Sequence, residues 1–122
     1  MDLKEYIQEI KRTCPELGSP DNGFKEDVDH MLFGMMTEIG ELVDIFKKHY
    51  AYGKPIDWVN VQEEMGDIMW YLGNFSRITG VSLEAALEIN VNKLKARFPE
   101  KFTQEKALVR DLEKERRILE GE

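Results

Sequence analysis

Apolar residues recur along most of this chain at the three- and four-residue spacing of a helix, and no stretch alternates as a strand would. Leu3, Tyr6, Ile7 and Ile10 mark an amphipathic helix over 3–13, with Lys4, Glu5, Glu9 and Lys11 on its polar face. Pro15 ends it. From Pro15 to Gly23 turn formers predominate, which reads as a plain connector, with a lid over a site as the alternative. A second helix is expected from about Lys25 to Tyr50. Gly34 and Gly40 lie inside it, each costing up to ~1 kcal/mol relative to alanine, so each calls for close packing or space for a ligand. Tyr50-Ala-Tyr-Gly-Lys-Pro55 breaks that helix, Asp57 caps a third, and Gly80 stops the third after Thr79. Ser82 caps a fourth helix, with Leu83, Ala86, Leu87, Val91 and Leu94 as its expected buried stripe and Arg97-Phe98-Pro99 as its end. Thr103 caps a last helix through Leu119. Its Leu108, Leu112 and Leu119 are too few to hold it in a core, so it is expected to pack on another chain or fray.

This pattern predicts an all-α protein, a helical bundle in a single domain over 1–122, with four-helix cores completed by oligomerisation. The second and third helices carry the unusual chemistry. Glu38-Ile-Gly-Glu41 and Glu64-Met-Gly-Asp67 each place two carboxylates one turn apart on one helix face. The first pair sits among Met31, Leu32, Phe33, Met35, Met36, Leu42, Val43, Ile45 and Phe46, so its helix is expected to be largely buried. Val61, Ile68, Met69, Trp70 and Leu72 flank the second pair. A short connection makes the two helices antiparallel neighbours and brings the pairs together. Gathering four unpaired carboxylates costs several kcal/mol per charge, and a hard divalent cation is the usual compensation. Four oxygens without a nearby histidine suit Mg²⁺ or Mn²⁺ and not zinc. A di-iron bundle uses Glu-x-x-His motifs, which this sequence lacks; its nearest approach is Asp27-Val-Asp-His30. The plain alternative, acids on solvated faces or paired with lysines, applies to any lone Glu-x-x-Glu.

Charge narrows the partners. With 17 Lys and Arg against 24 Asp and Glu, the net charge of −7 argues against nucleic acid or an anionic membrane surface. Cys14 is the single cysteine and has no intramolecular disulfide partner, which fits a reducing cytoplasm. The polar N-terminal stretch lacks a signal-peptide core, and no apolar run reaches the length of a membrane span. A soluble cytoplasmic protein of 122 residues is the expectation.

The acid motifs, with residues 42–63 between them, resemble the signature of the MazG-like, all-α nucleoside triphosphate pyrophosphohydrolases. The similarity extends through His30-Met-Leu-Phe-Gly-Met-Met-Thr-Glu-Ile-Gly-Glu41, Lys47-Lys48 with Tyr52-Gly-Lys-Pro55, and Asn90-Val-Asn-Lys-Leu-Lys-Ala-Arg-Phe-Pro99 with Phe102, covering roughly 24–111. It implies Mg²⁺-dependent cleavage between the α- and β-phosphates of a nucleoside triphosphate, releasing monophosphate and pyrophosphate. Glu38, Glu41, Glu64 and Asp67 then hold the metal, and either Glu41 or Glu64 activates water; spacing does not decide which. Positive charge must meet the leaving pyrophosphate, and Asn90, Lys93 and Arg97 share one helical stripe. Lys47 and Lys54 are further phosphate candidates. Tyr71, one turn after Asp67, is a candidate for the sugar or phosphates, and His30 for the base, each with ordinary packing as the alternative. Trp58 and Trp70 read as core or interface. Two other functions compete. One is phosphoribosyl-ATP pyrophosphohydrolase, which shares the bundle; the other is a non-catalytic helical interaction module whose acids make oligomer salt bridges. Housecleaning of (d)NTP pools is the role the resemblance favours, and the thin cover one chain gives its methionines and aromatics predicts a homodimer or homotetramer.

Overall fold

The computed structural model describes residues 1–15 and 23–122, so the core of the expected connector or lid, 16–22, lies outside the described residues. The described residues form six α-helices and contain no strand, as the spacing predicts. They divide into two compact units, 1–81 and 82–122.

The first unit contains α1 (Leu3–Thr13), α2 (Phe24–Tyr52) and α3 (Trp58–Thr79). A capping box starts α1: the Asp2 carboxylate accepts from the Glu5 amide at 2.8 Å, and the Glu5 carboxylate accepts from the Asp2 amide at 3.3 Å. Gly53 ends α2 with φ +67°, a conformation that disfavours any residue with a Cβ. His49 Nδ1 donates to the carbonyl of Lys54 at 2.8 Å and ties the turn to the helix. Asp57 caps α3 by accepting from the Asn60 amide at 3.1 Å. Phe46 meets Trp58 edge to face, Glu38 and Glu41 meet Glu64, and Gly34 meets Tyr71. Later positions on α2 thus face earlier ones on α3, and the pair is antiparallel. Met31 and Ile45 of α2 and Ile10 of α1 form the buried apolar centre.

Two expectations fail in this unit. The second helix is not largely buried: Phe33, Met36 and Val43 are 64%, 69% and 58% exposed. Its apolar residues run around the whole circumference, and α3 covers only one side. Trp58, expected in the core or at an interface, is not in the core of this unit: it meets Phe46 edge to face and is largely exposed.

The second unit contains α4 (Leu83–Arg97), α5 (Gln104–Leu108) and α6 (Leu112–Leu119), with α6 packed on α4. One continuous helix from Thr103 to Leu119 was expected. The chain instead leaves α5 at Val109 and restarts at Asp111, whose carboxylate accepts from the Lys114 amide at 3.0 Å and caps α6. The expected apolar stripe of α4 is also not sealed, for Ala86, Leu87, Val91 and Leu94 are exposed. The reason lies in what α6 brings. Its buried residue is Glu115, which accepts from Arg97 Nε at 2.5 Å and from Arg110 Nη2 at 2.6 Å. Those two guanidiniums, Arg97 first, hold the Glu115 carboxyl down at about 2. The Arg97–Glu115 ion pair joins α6 to α4.

Candidate metal centre

Glu38 and Glu41 come from adjacent turns of α2, and Glu64 faces them from α3. Each offers a carboxylate oxygen, and the three lie within 4.8 Å of one another. Oxygens bound to one hard cation at about 2.0–2.6 Å stand at most ~4–5 Å apart, so the spacing fits such an ion. Burial grades across the cluster, with Glu64 buried, Glu38 half-buried and Glu41 exposed. Glu38 Oε2 and Glu64 Oε2 are both buried and without a hydrogen-bond partner among the described residues. Unsatisfied buried carboxylate oxygens are costly, and a cation is the partner that satisfies them. Without one, burial pushes the Glu64 carboxyl up to about 7, and the nearby Glu38 and Glu41 carboxylates push the same way.

Asp67 is placed differently from the other three. It stands one turn beyond Glu64, outside the three-carboxylate cluster, and shares with Glu38, Trp70 and Tyr71 the wall of a cavity of about 270 Å³. The Trp70 and Tyr71 rings meet nearly at right angles with centroids 5.0 Å apart. Gly34 explains where Tyr71 lies: the ring occupies the space a side chain at 34 would need. His30 is exposed, with its ring 6.2 Å from that of Tyr71. Gly40, by contrast, opens onto empty space.

The basic candidates are scattered. Lys47 is exposed on α2, and Lys54 is exposed in the connection to α3. Asn90, Lys93 and Arg97 belong to the second unit, where Asn90 is exposed, Lys93 is half-buried and Arg97 engages Glu115. Sequence reasoning missed several residues next to the acids. Gly73 lets α1 approach α3, and Asn74, fully buried, donates from Nδ2 to the Trp70 carbonyl at 3.1 Å while its Oδ1 accepts from Arg77 Nη2 at 2.8 Å. A polar residue one turn after Trp70 in an apolar helix was the available signal. Thr13, which accepts from Trp70 Nε1 at 2.8 Å, gave none.

An antiparallel helix pair that gathers three carboxylates beside an aromatic-walled cavity defines an all-α protein with an acidic cluster whose spacing could hold a cation. The MazG nucleotide pyrophosphohydrolase domain matches residues 26–102, and this chain belongs to that family. The matched stretch contains all four acids and the cavity wall and leaves out α1, α5 and α6. No curated protein and no solved structure matched the chain at a significant level.

Proposed function

We infer that this domain hydrolyses a nucleoside triphosphate between its α- and β-phosphates, giving the monophosphate and pyrophosphate, with Mg²⁺ as cofactor and Mn²⁺ as a substitute. The observation that carries the reading is the pair of orphaned buried oxygens, Glu38 Oε2 and Glu64 Oε2, where three carboxylates meet beside a cavity. Glu38, Glu41, Glu64 and Asp67 are the residues that would hold the ion. When bound, it supplies neutralisation of the phosphate oxygens and of the charge developing on the leaving group. Glu41, exposed at the edge of the cluster, is better placed than the buried Glu64 to orient an entering water and accept its proton. Trp70 and Tyr71 form the wall for the nucleoside, with His30 at its outer edge. Lys54, in the same unit as the acids, is the proposed contact of the pyrophosphate.

The role that fits this chemistry is cleansing of (d)NTP pools in the cytoplasm by a homodimer or homotetramer. Support for assembly comes from Phe33, Met36 and Val43, large apolar side chains exposed on α2. Light scattering should give a multiple of the single-chain mass; an active single-chain species counts against assembly. The reaction is tested by incubating the protein and Mg²⁺ with individual dNTPs and NTPs and separating the products. Monophosphate and pyrophosphate are expected first. Orthophosphate and a diphosphate as first products would overturn the reading.

A further inference from the structure

Helix α1 lies outside the stretch that matches the family, yet it is hydrogen-bonded to a residue of the cavity wall. Trp70 Nε1 donates to Thr13 Oγ1 at 2.8 Å, and Thr13 Oγ1 in turn donates to the Ile10 carbonyl at 2.9 Å. A hydroxyl has one proton, and this one is committed to Ile10, so a lone pair is left facing the indole. Thr13 is therefore a dedicated acceptor. Asn74 Nδ2 holds the backbone carbonyl of the same tryptophan, so Trp70 is tied at both its ring and its main chain. The helix that carries Thr13 is itself held closely. A Cβ at Gly73 would lie 2.4 Å from Ile10 Cδ1 and 3.0 Å from Ile7 Cδ1, and Tyr6 Oη donates to the Gly66 carbonyl at 3.4 Å.

We propose that Thr13 is a positioning residue of the nucleotide site: from the end of α1 it holds the Trp70 indole in the wall shared with Glu38, Asp67 and Tyr71. With its N–H satisfied at α1, Trp70 offers the cavity only ring surface. The ligand part that suits such a wall is a planar base, met by stacking, which every base tolerates because every base has a π-face. Selection among bases is then left to other groups. This proposal rests on the nucleotide reading above.

The test uses the full chain with Trp58→Phe, which leaves Trp70 as the only tryptophan of the two. Thr13→Val and Thr13→Ser are made in this background and, as a check, in the natural sequence. Each of dATP, dGTP, dCTP and dTTP is titrated singly with Mg²⁺, following Trp70 emission and pyrophosphate release. Valine keeps the branched shape and removes the acceptor, so KM should rise about three- to tenfold, as expected for one lost hydrogen bond. The kcat should stay within about twofold of the parent value. Serine restores the hydroxyl and should restore KM and the emission response. A Thr13→Val protein with the parent KM, or a defect that serine leaves in place, overturns the proposal. So does Trp70 emission that answers to none of the four nucleotides. If emission responds and tracks Thr13 while no pyrophosphate appears, the role of Thr13 stands and the hydrolytic reading fails.

Discussion

A Cβ added to Gly34 would lie 2.1 Å from Cε1 of Tyr71, so the phenol ring stands in the space any other residue at that position would fill. Gly34→Ala gains up to ~1 kcal/mol of helix propensity but meets a ring that must move, and overpacking of this kind costs ~1–3 kcal/mol. The expected result is a lower melting temperature together with a raised KM, because Tyr71 lines the cavity with Glu38 and Asp67. Gly40→Ala is the control, since nothing lies within 4 Å of its Cβ, and it should stabilise by about 0.5–1 kcal/mol. Thermal melts of both variants decide the point. If Gly34→Ala is as stable as Gly40→Ala, the ring yields freely and does not fix the cavity.

Gly34 also marks the limit of what was legible in the sequence. Its position inside an apolar helix announced that something approaches there, but periodicity carries no information about which side chain does. The helices and their caps were readable because Asp57, Ser82 and Gly80 act on their own neighbours in the chain. The meeting of Glu38 and Glu41 with Glu64 was readable because a short connection forces α2 and α3 together. Burial was misjudged where it depends on partners: the pattern of α2 records its apolar residues without recording what covers them. The break at Val109–Asp111 was hidden because Arg110 and Asp111 fit a charged helix as well as a turn, and their partners, Glu115 for Arg110 and the Lys114 amide for Asp111, are not visible in periodicity.

Stability of the metal-free protein should fall as pH rises from about 4.5 to about 7. The Glu64 carboxyl titrates near 4.5 ordinarily and is pushed up to about 7 in the folded state by burial and by its acidic neighbours. In that window the folded chain keeps a proton the unfolded chain has lost, so raising the pH favours unfolding; below 4.5 the contribution is fully present. Melts in EDTA across this range should show the fall, and Mg²⁺ should flatten it by taking the place of the proton. A flat profile in EDTA means that neither burial nor the neighbouring carboxylates raise the Glu64 carboxyl.

Glu115 predicts the opposite slope. Arg97 and Arg110 hold its carboxyl at about 2, below its ordinary 4.5, so its contribution is complete above 4.5 and is lost as pH falls toward 2. Glu115→Gln removes the charge and leaves two guanidiniums facing an amide on the α4–α6 contact. Hydrogen exchange should quicken throughout α6 and at the end of α4, and the acid side of the stability profile should flatten. Unchanged protection in α6 would show that the ion pair does not hold the two helices together.

A metal centre and a structural ion-pair cluster respond oppositely to loss of one charge. Glu64 has Glu38 and Glu41 beside it, and no basic group is among its pairings in the described residues. Glu64→Gln keeps the shape of the side chain and removes a like-charge contact, so the metal-free variant should melt at or above the parent temperature. It should also lose most of its pyrophosphohydrolysis and most of the rise in melting temperature that Mg²⁺ gives the parent. A salt-bridge role requires the reverse, with lower stability from a stranded basic partner and little dependence on Mg²⁺. Melts of parent and variant in EDTA and in excess Mg²⁺, run beside the activity assay, separate the two. A variant that is destabilised without metal yet fully active would place the chemistry somewhere other than these carboxylates.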